Sequence, residues 1–305
     1  MKTCWPLSLC VLALVACAPA GEEANPTQPE PSAAPSADSV SETGAVSATG
    51  AAGPAEDVQS LLQKLLAAKN TDYNGNAQFQ LREGVPVAVS LAGTGVRDIS
   101  MFEGIPLMSL DLSNNPVSDL SALKGMPLRE LFLERTRVTD LGPIAGAPLM
   151  RIFLNETRVT NIEALQGMPL KNIYLTDTRV RDISPLAGMA SLEGLWLNNA
   201  PVEDIGPLRG LPLVTLTLRG TAVKDLSPLA TMPKLQRLHV AETLVSDLSP
   251  VAGLPLTRLL FTPGRIKQGL DLVRQMPRLT QIGDSLDGKL APPAFWQQYD
   301  NGAYR

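Results

Sequence analysis

The hexapeptide L-x-x-L-x-L, with conservative replacements, recurs eight times along this chain at steps of 21 or 22 residues. It begins at Leu107, Leu128, Leu149, Leu170, Leu192, Leu213, Leu235 and Leu256, and a degenerate earlier copy surrounds Val89-Ser-Leu91. A unit this short cannot bury its own apolar side, so the copies must stack on one another into one continuous core. The alternation L-x-L predicts a short strand whose leucines point inward. Val117, Val138, Val159, Val180, Val202, Val223 and Val245 predict a second inward row after each strand. The stretch that follows reads Asp, Leu or Ile, Ser or Gly, Pro, Leu, as in Asp182-Ile-Ser-Pro185-Leu186. A Ser-Pro pair there predicts a helix N-cap with proline at the first helical position. Leu123, Ile144, Leu165, Leu186, Leu208, Leu229 and Val251 form the buried side of that turn, and Gly-Met-Pro returns the chain to the next strand.

The pattern L-x-x-L-x-L-x-x-T/N-x-V resembles the short, internalin-like bacterial leucine-rich repeat, over about residues 86–282. The resemblance implies an α/β solenoid. Its parallel β-strands lie on the concave face and its short helical or 3₁₀ turns on the convex face. Two columns invite other readings. Thr94, Thr136, Thr157, Thr178, Thr221 and Thr243, with Asn115 in one coil, could suggest catalysis. An inward hydroxyl or amide that satisfies backbone groups stranded at the corner explains them better. Asp98, Asp119, Asp140, Asp182, Asp204, Asp225 and Asp247 could suggest calcium, but one acid per coil fits local turn hydrogen bonding.

The first 16 residues read as a lipoprotein signal peptide, with Lys2 ahead of the apolar run Leu7 to Val15. Leu14-Val15-Ala16-Cys17 resembles a bacterial lipobox, which implies cleavage before Cys17 and lipid on its sulfur. The alternative is cleavage after Ala18-Pro-Ala20 and a secreted soluble protein. Ala18 stands where an inner-membrane retention signal needs aspartate, so a Gram-negative host implies the outer membrane. Residues 17–55 form a Pro/Ala/Ser-rich tether with five acids and no base, too polar to fold alone. Residues 56–85 form an N-terminal cap, with Val58, Leu61, Leu62, Leu65 and Leu66 as one helical stripe. Repeats fill 86–262. A C-terminal cap fills 263–305, where Phe295, Trp296 and Tyr299 cover the last coil. This ending resembles caps of arrays found with bacterial Ser/Thr kinases, yet the chain has no glycine-rich phosphate loop and no His-Arg-Asp.

Function has to lie on the strand positions that face outward. The position between the last two leucines reads Asp111, Phe132, Phe153, Tyr174, Trp196, Thr217, His239, Leu260. Four of the chain's 13 aromatics therefore fall side by side, in a ribbon on the order of 14 Å long. Such a ribbon marks an interaction site, although cross-strand stacking alone would also explain it. Around it stand Arg151, Asn155, Asn198 and Arg219, and His239 reads as an exposed contact residue. An apolar stripe with a polar rim fits a protein or peptide ligand. Cell-wall or polysaccharide binding on the same rings is the alternative. A net charge of −4 gives no basic face for nucleic acid. One histidine, and cysteines only at positions 4, 10 and 17, leave no Cys/His metal site and no nucleophile constellation. The expectation is a monomeric, non-enzymatic binding protein without cofactor, held at the membrane by the lipid on Cys17.

Overall fold

The computed structural model describes residues 57–304. The signal peptide, Cys17 and the tether read from the sequence lie outside those residues. One sheet of 11 strands runs in chain order. Strands β1 (Gln78–Arg82) and β2 (Val85–Ser90) form an antiparallel hairpin at one end. Nine three-residue strands follow, all parallel: β3 (Ser109–Asp111), β4 (Glu130–Phe132), β5 (Arg151–Phe153), β6 (Asn172–Tyr174), β7 (Gly194–Trp196), β8 (Thr215–Thr217), β9 (Arg237–His239), β10 (Arg258–Leu260) and β11 (Gln281–Gly283). The last of these lies inside the segment read from the sequence as the C-terminal cap. Leucine or isoleucine pairs with its counterpart across the ladder, from Leu110 and Leu131 through Ile173 and Leu195 to Leu259 and Ile282. The 22-residue steps leave this register intact. At one of them the extra residue enters the exposed return loop, where Gly188-Met-Ala-Ser-Leu192 stands in place of Gly167-Met-Pro-Leu170.

The opposite wall is a row of three-residue 3₁₀ turns, from Ser100–Phe102 to Ser249–Val251. The capping expected of the serines is done by another group. In each turn the first N–H donates to the carboxylate two residues earlier, as Ser184 N does to Asp182 Oδ1 at 2.8 Å. The same bond recurs at Asp98, Asp119, Asp140, Asp204, Asp225 and Asp247, and Asn161 supplies it in one coil, all at 2.7–2.8 Å. The Asp column is therefore a set of turn caps. Accepting these bonds holds the carboxyls of Asp98, Asp119, Asp182 and Asp225 below the usual carboxylate range.

The Thr column also does local work. Each hydroxyl donates to the carbonyl three residues back at 2.6–2.8 Å, inside the core. Asn115 does more, donating to the Leu91 and Leu112 carbonyls and accepting from Val96 N. Thr178→Val keeps the shape and strands the Leu175 carbonyl, so it should cost about 1–2 kcal/mol in chemical denaturation. An unchanged midpoint would refute that role. One backbone feature has no counterpart in the sequence pattern. The residue before each corner is left-handed; it is glycine or asparagine in four coils, Asp177 and Glu242 in two, and Arg135 (φ 53°) and Glu156 (φ 56°) in two more. Those two side chains pair with each other across neighbouring coils at 2.7 Å.

Both ends of the array are covered. Helix α1 (Val58–Lys69) starts on Asp57, buries Leu62 and Leu66, and packs Leu66 into the core of the array. Leu61 and Leu65 of the expected stripe are exposed. Asn70 anchors the helix end: its Oδ1 accepts from Arg97 N and Asp98 N, both at 2.7 Å. At the other end, helix α2 (Leu270–Arg274) and helix α3 (Pro292–Asp300) follow β10. Phe295 is fully buried and meets Phe261 edge-on at 5.9 Å, with Trp296 beside it at 5.0 Å.

Candidate functional site on the open sheet face

Three side-chain columns cover the sheet face opposite the core. The middle column brings Phe132, Phe153, Tyr174 and Trp196 together as direct register partners. Their ring centroids are 4.4, 4.3 and 4.1 Å apart, with interplanar angles of 11°, 8° and 11°. Parallel in-register strands force this repeat, because every copy leaves the sheet in the same direction. The rings turn their faces to one another and show their edges to solvent. Phe153, with a ring on either side, is only 7% exposed, while the other three are half-buried. Burial pushes the Tyr174 hydroxyl above the usual tyrosine range.

The stack depends on Gly194, which opens the first column of β7. A Cβ there would lie 2.5 Å from the Trp196 ring and 2.7 Å from Asn172 Nδ2. Gly194→Ala should push the indole out of the stack and weaken its near-UV circular dichroism, with far-UV ellipticity unchanged. Retention of the near-UV signal would show that the indole has room to spare.

The polar residues expected around the rings separate into two kinds. Arg151 is exposed and ion-paired with Glu130 on the neighbouring strand. Arg219 sits on the rim, with its Nη2 2.8 Å from Glu242 Oε1. Asn155 and Asn198 serve the fold instead. The Asn155 Oδ1 accepts from Thr176 N at 3.0 Å, and the Asn198 Oδ1 accepts from Arg219 N at 3.1 Å. Each of these amides therefore ties its strand end to the next coil, and Asn198 is buried.

His239 corrects the sequence reading. It occupies the expected row, but it is 6% exposed and not a free surface contact. Burial, reinforced by Arg219 and Arg258 and opposed by Glu242, lowers its pKa to about 4, so the imidazole is neutral at pH 7. Leu260, next in the row, is fully buried. The reading from sequence passed over Gly194 and Arg258. Aligning the strands position by position would have placed each of them on this face. Among the described residues, no group of three or more His, Cys, Asp or Glu side chains could hold a metal ion, and no helix is long and apolar enough to cross a membrane.

No protein-family model and no curated protein sequence matches the chain. Solved structures do. Internalin C2 from Listeria monocytogenes is 33% identical, with a TM-score of 0.56, covering 58% of this chain and 80% of that one. An internalin, InlF, from the same organism is 23% identical, with a TM-score of 0.58, over 74% of this chain and 73% of that one. The Arabidopsis receptor kinase HAESA, solved with the peptide hormone IDA and the co-receptor SERK1, shares the fold. It is 16% identical, with a TM-score of 0.50, over 70% of this chain and 46% of that one. With 21- and 22-residue coils, one leucine ladder and that identity to internalin C2, the chain belongs to the internalin-like leucine-rich-repeat proteins.

Proposed function

We propose that this chain is a non-enzymatic, lipid-anchored protein of the bacterial envelope that binds an extended protein or peptide segment across its concave sheet face. The observation that carries this reading is the stack Phe132–Phe153–Tyr174–Trp196, a contiguous apolar ridge on an otherwise polar face. Exposed apolar ridges with a charged border are features of protein interfaces. The receptor structure supports the same class of ligand, since HAESA is solved with a bound peptide hormone. Sugar binding is the weaker reading. Saccharides stack on ring faces, and here the inner faces are covered by neighbouring rings. The anchor rests on Leu14-Val15-Ala16-Cys17.

Two measurements test the proposal. A photo-crosslinking phenylalanine analogue placed at Tyr174 in the native host should form protein adducts, whereas one at the exposed Glu163 of the 3₁₀ wall should not. Equal adduct patterns from both positions would sink the face assignment. Cys17→Ser should abolish incorporation of labelled palmitate and release the protein from the membrane fraction. Continued labelling would remove the anchor.

A further inference from the structure

Past Trp196 the middle column changes character. Thr217 and His239, register partners on β8 and β9, bury Thr217 Oγ1 and His239 Nε2 without a hydrogen-bond partner. Buried polar atoms are nearly always paired, and leaving one unmet costs about 1–3 kcal/mol. Arg237 and Arg258, themselves register partners, stand beside this pair in the first column. Their Nε atoms are held in place, Arg237 by Thr215 Oγ1 at 2.9 Å and Arg258 by Gln281 Oε1. Arg219 borders the pair in the third column, already engaged with Glu242. Among the described residues Arg237 makes no ion pair. Two guanidiniums side by side repel, and the Arg258 guanidinium is held below its usual range by burial and by Arg237. Two fixed cations and two unmet polar atoms therefore converge at one end of the aromatic ridge. The other end carries Asp111 and Glu134, while Glu130 there is already paired with Arg151.

We infer that this patch is an anion subsite that receives an aspartate or glutamate carboxylate from the bound segment, beside the apolar residues that lie along the stack. The inference rests on the peptide-binding reading and deepens it. The Arg237 and Arg258 guanidiniums would supply charge-assisted bonds to a carboxylate lying over the Thr217–His239 pair. The acidic end at β3 and β4 favours a basic residue on the opposite side. From Asp111 to His239 is six strand steps, about 29 Å, which an extended peptide of roughly nine residues spans. The partner is therefore a segment with a basic end, an apolar centre and an acidic end, the acid lying over β8–β10.

A random nonapeptide library with blocked termini, panned against the mature full-length chain, tests this. The expected selection has an apolar centre and Asp or Glu concentrated at one end. Changing that acid to its amide should weaken binding by about 10- to 100-fold. Arg237→Gln with Arg258→Gln should do the same and remove the acidic preference, with thermal unfolding confirming a folded chain. Arg158→Gln, in the exposed Arg137, Arg158 and Arg179 column, should leave affinity unchanged, which separates a built subsite from general attraction. Peptides that need Trp196 but show no acidic preference would overturn the subsite alone. A library that yields no Trp196-dependent binder would overturn the binding reading itself, and the subsite with it.

Discussion

Replacing Phe153 and Trp196 together by alanine should lower partner capture by about 100-fold or more, equivalent to roughly 3 kcal/mol. The two rings contribute different things. Trp196 ends the stack, is half-buried and keeps one face uncovered by another ring, so its loss removes contact area from the ligand. Phe153 is 7% exposed and is held between Phe132 and Tyr174, so its loss opens a gap inside the ridge. The double variant should therefore also be less stable, by about 2–3 kcal/mol in denaturant titration, most of it from Phe153. Capture must be scored per folded molecule. Single Trp196→Ala, with a smaller stability cost, should retain most of the capture defect. Full capture by the folded double variant would show that the stack only braces the ladder.

Acidification should weaken the fold before the carboxylates titrate. In the unfolded chain His239 takes up a proton near pH 6.5, and in the folded chain only near pH 4. Between those values the unfolded state binds more protons, so stability falls as pH falls. The loss is complete near pH 4 and amounts to about 3 kcal/mol, since each pKa unit corresponds to about 1.4 kcal/mol. His239→Leu should flatten the curve between pH 6.5 and 4. The same slope in that variant would remove His239 as its cause. The capping aspartates act in a lower window. Their carboxyls are depressed in the fold, so their contribution persists above the unfolded carboxylate pKa and disappears as pH drops through the folded values. Glu134 has the opposite sign. Burial raises its carboxyl, and the protonated form favoured in the fold makes stability fall as pH rises past the ordinary glutamate range.

Much of this molecule is legible in one dimension. The spacing of Leu110, Leu131, Ile152, Ile173 and Leu195 gives the strands, their parallel order and the core, because each coil repeats the same local problem of hiding one apolar edge. The threonine corners follow from the same periodicity. Capping does not follow so directly. A serine before proline satisfies the general preference for an N-cap, but in the short 3₁₀ turn the aspartate two residues earlier reaches the free N–H. Leu61 and Leu65 share the helical period of Leu62 and Leu66, yet the fold covers only one pair.

The open face divides in the same way. Which residues stand in the ring row is fixed by counting, since neighbours 21 or 22 positions apart must meet when the leucines pair. What each residue experiences there is set through space. Trp196 lies in its stack because Gly194, two residues away, leaves the area empty. His239 is shielded and neutral, with Arg219, Glu242 and Arg258 arriving from neighbouring coils. Register is a local, repeating constraint, so the linear chain carries it. Burial and electrostatic field are sums over side chains distant in sequence, and they exist only once the coils are stacked.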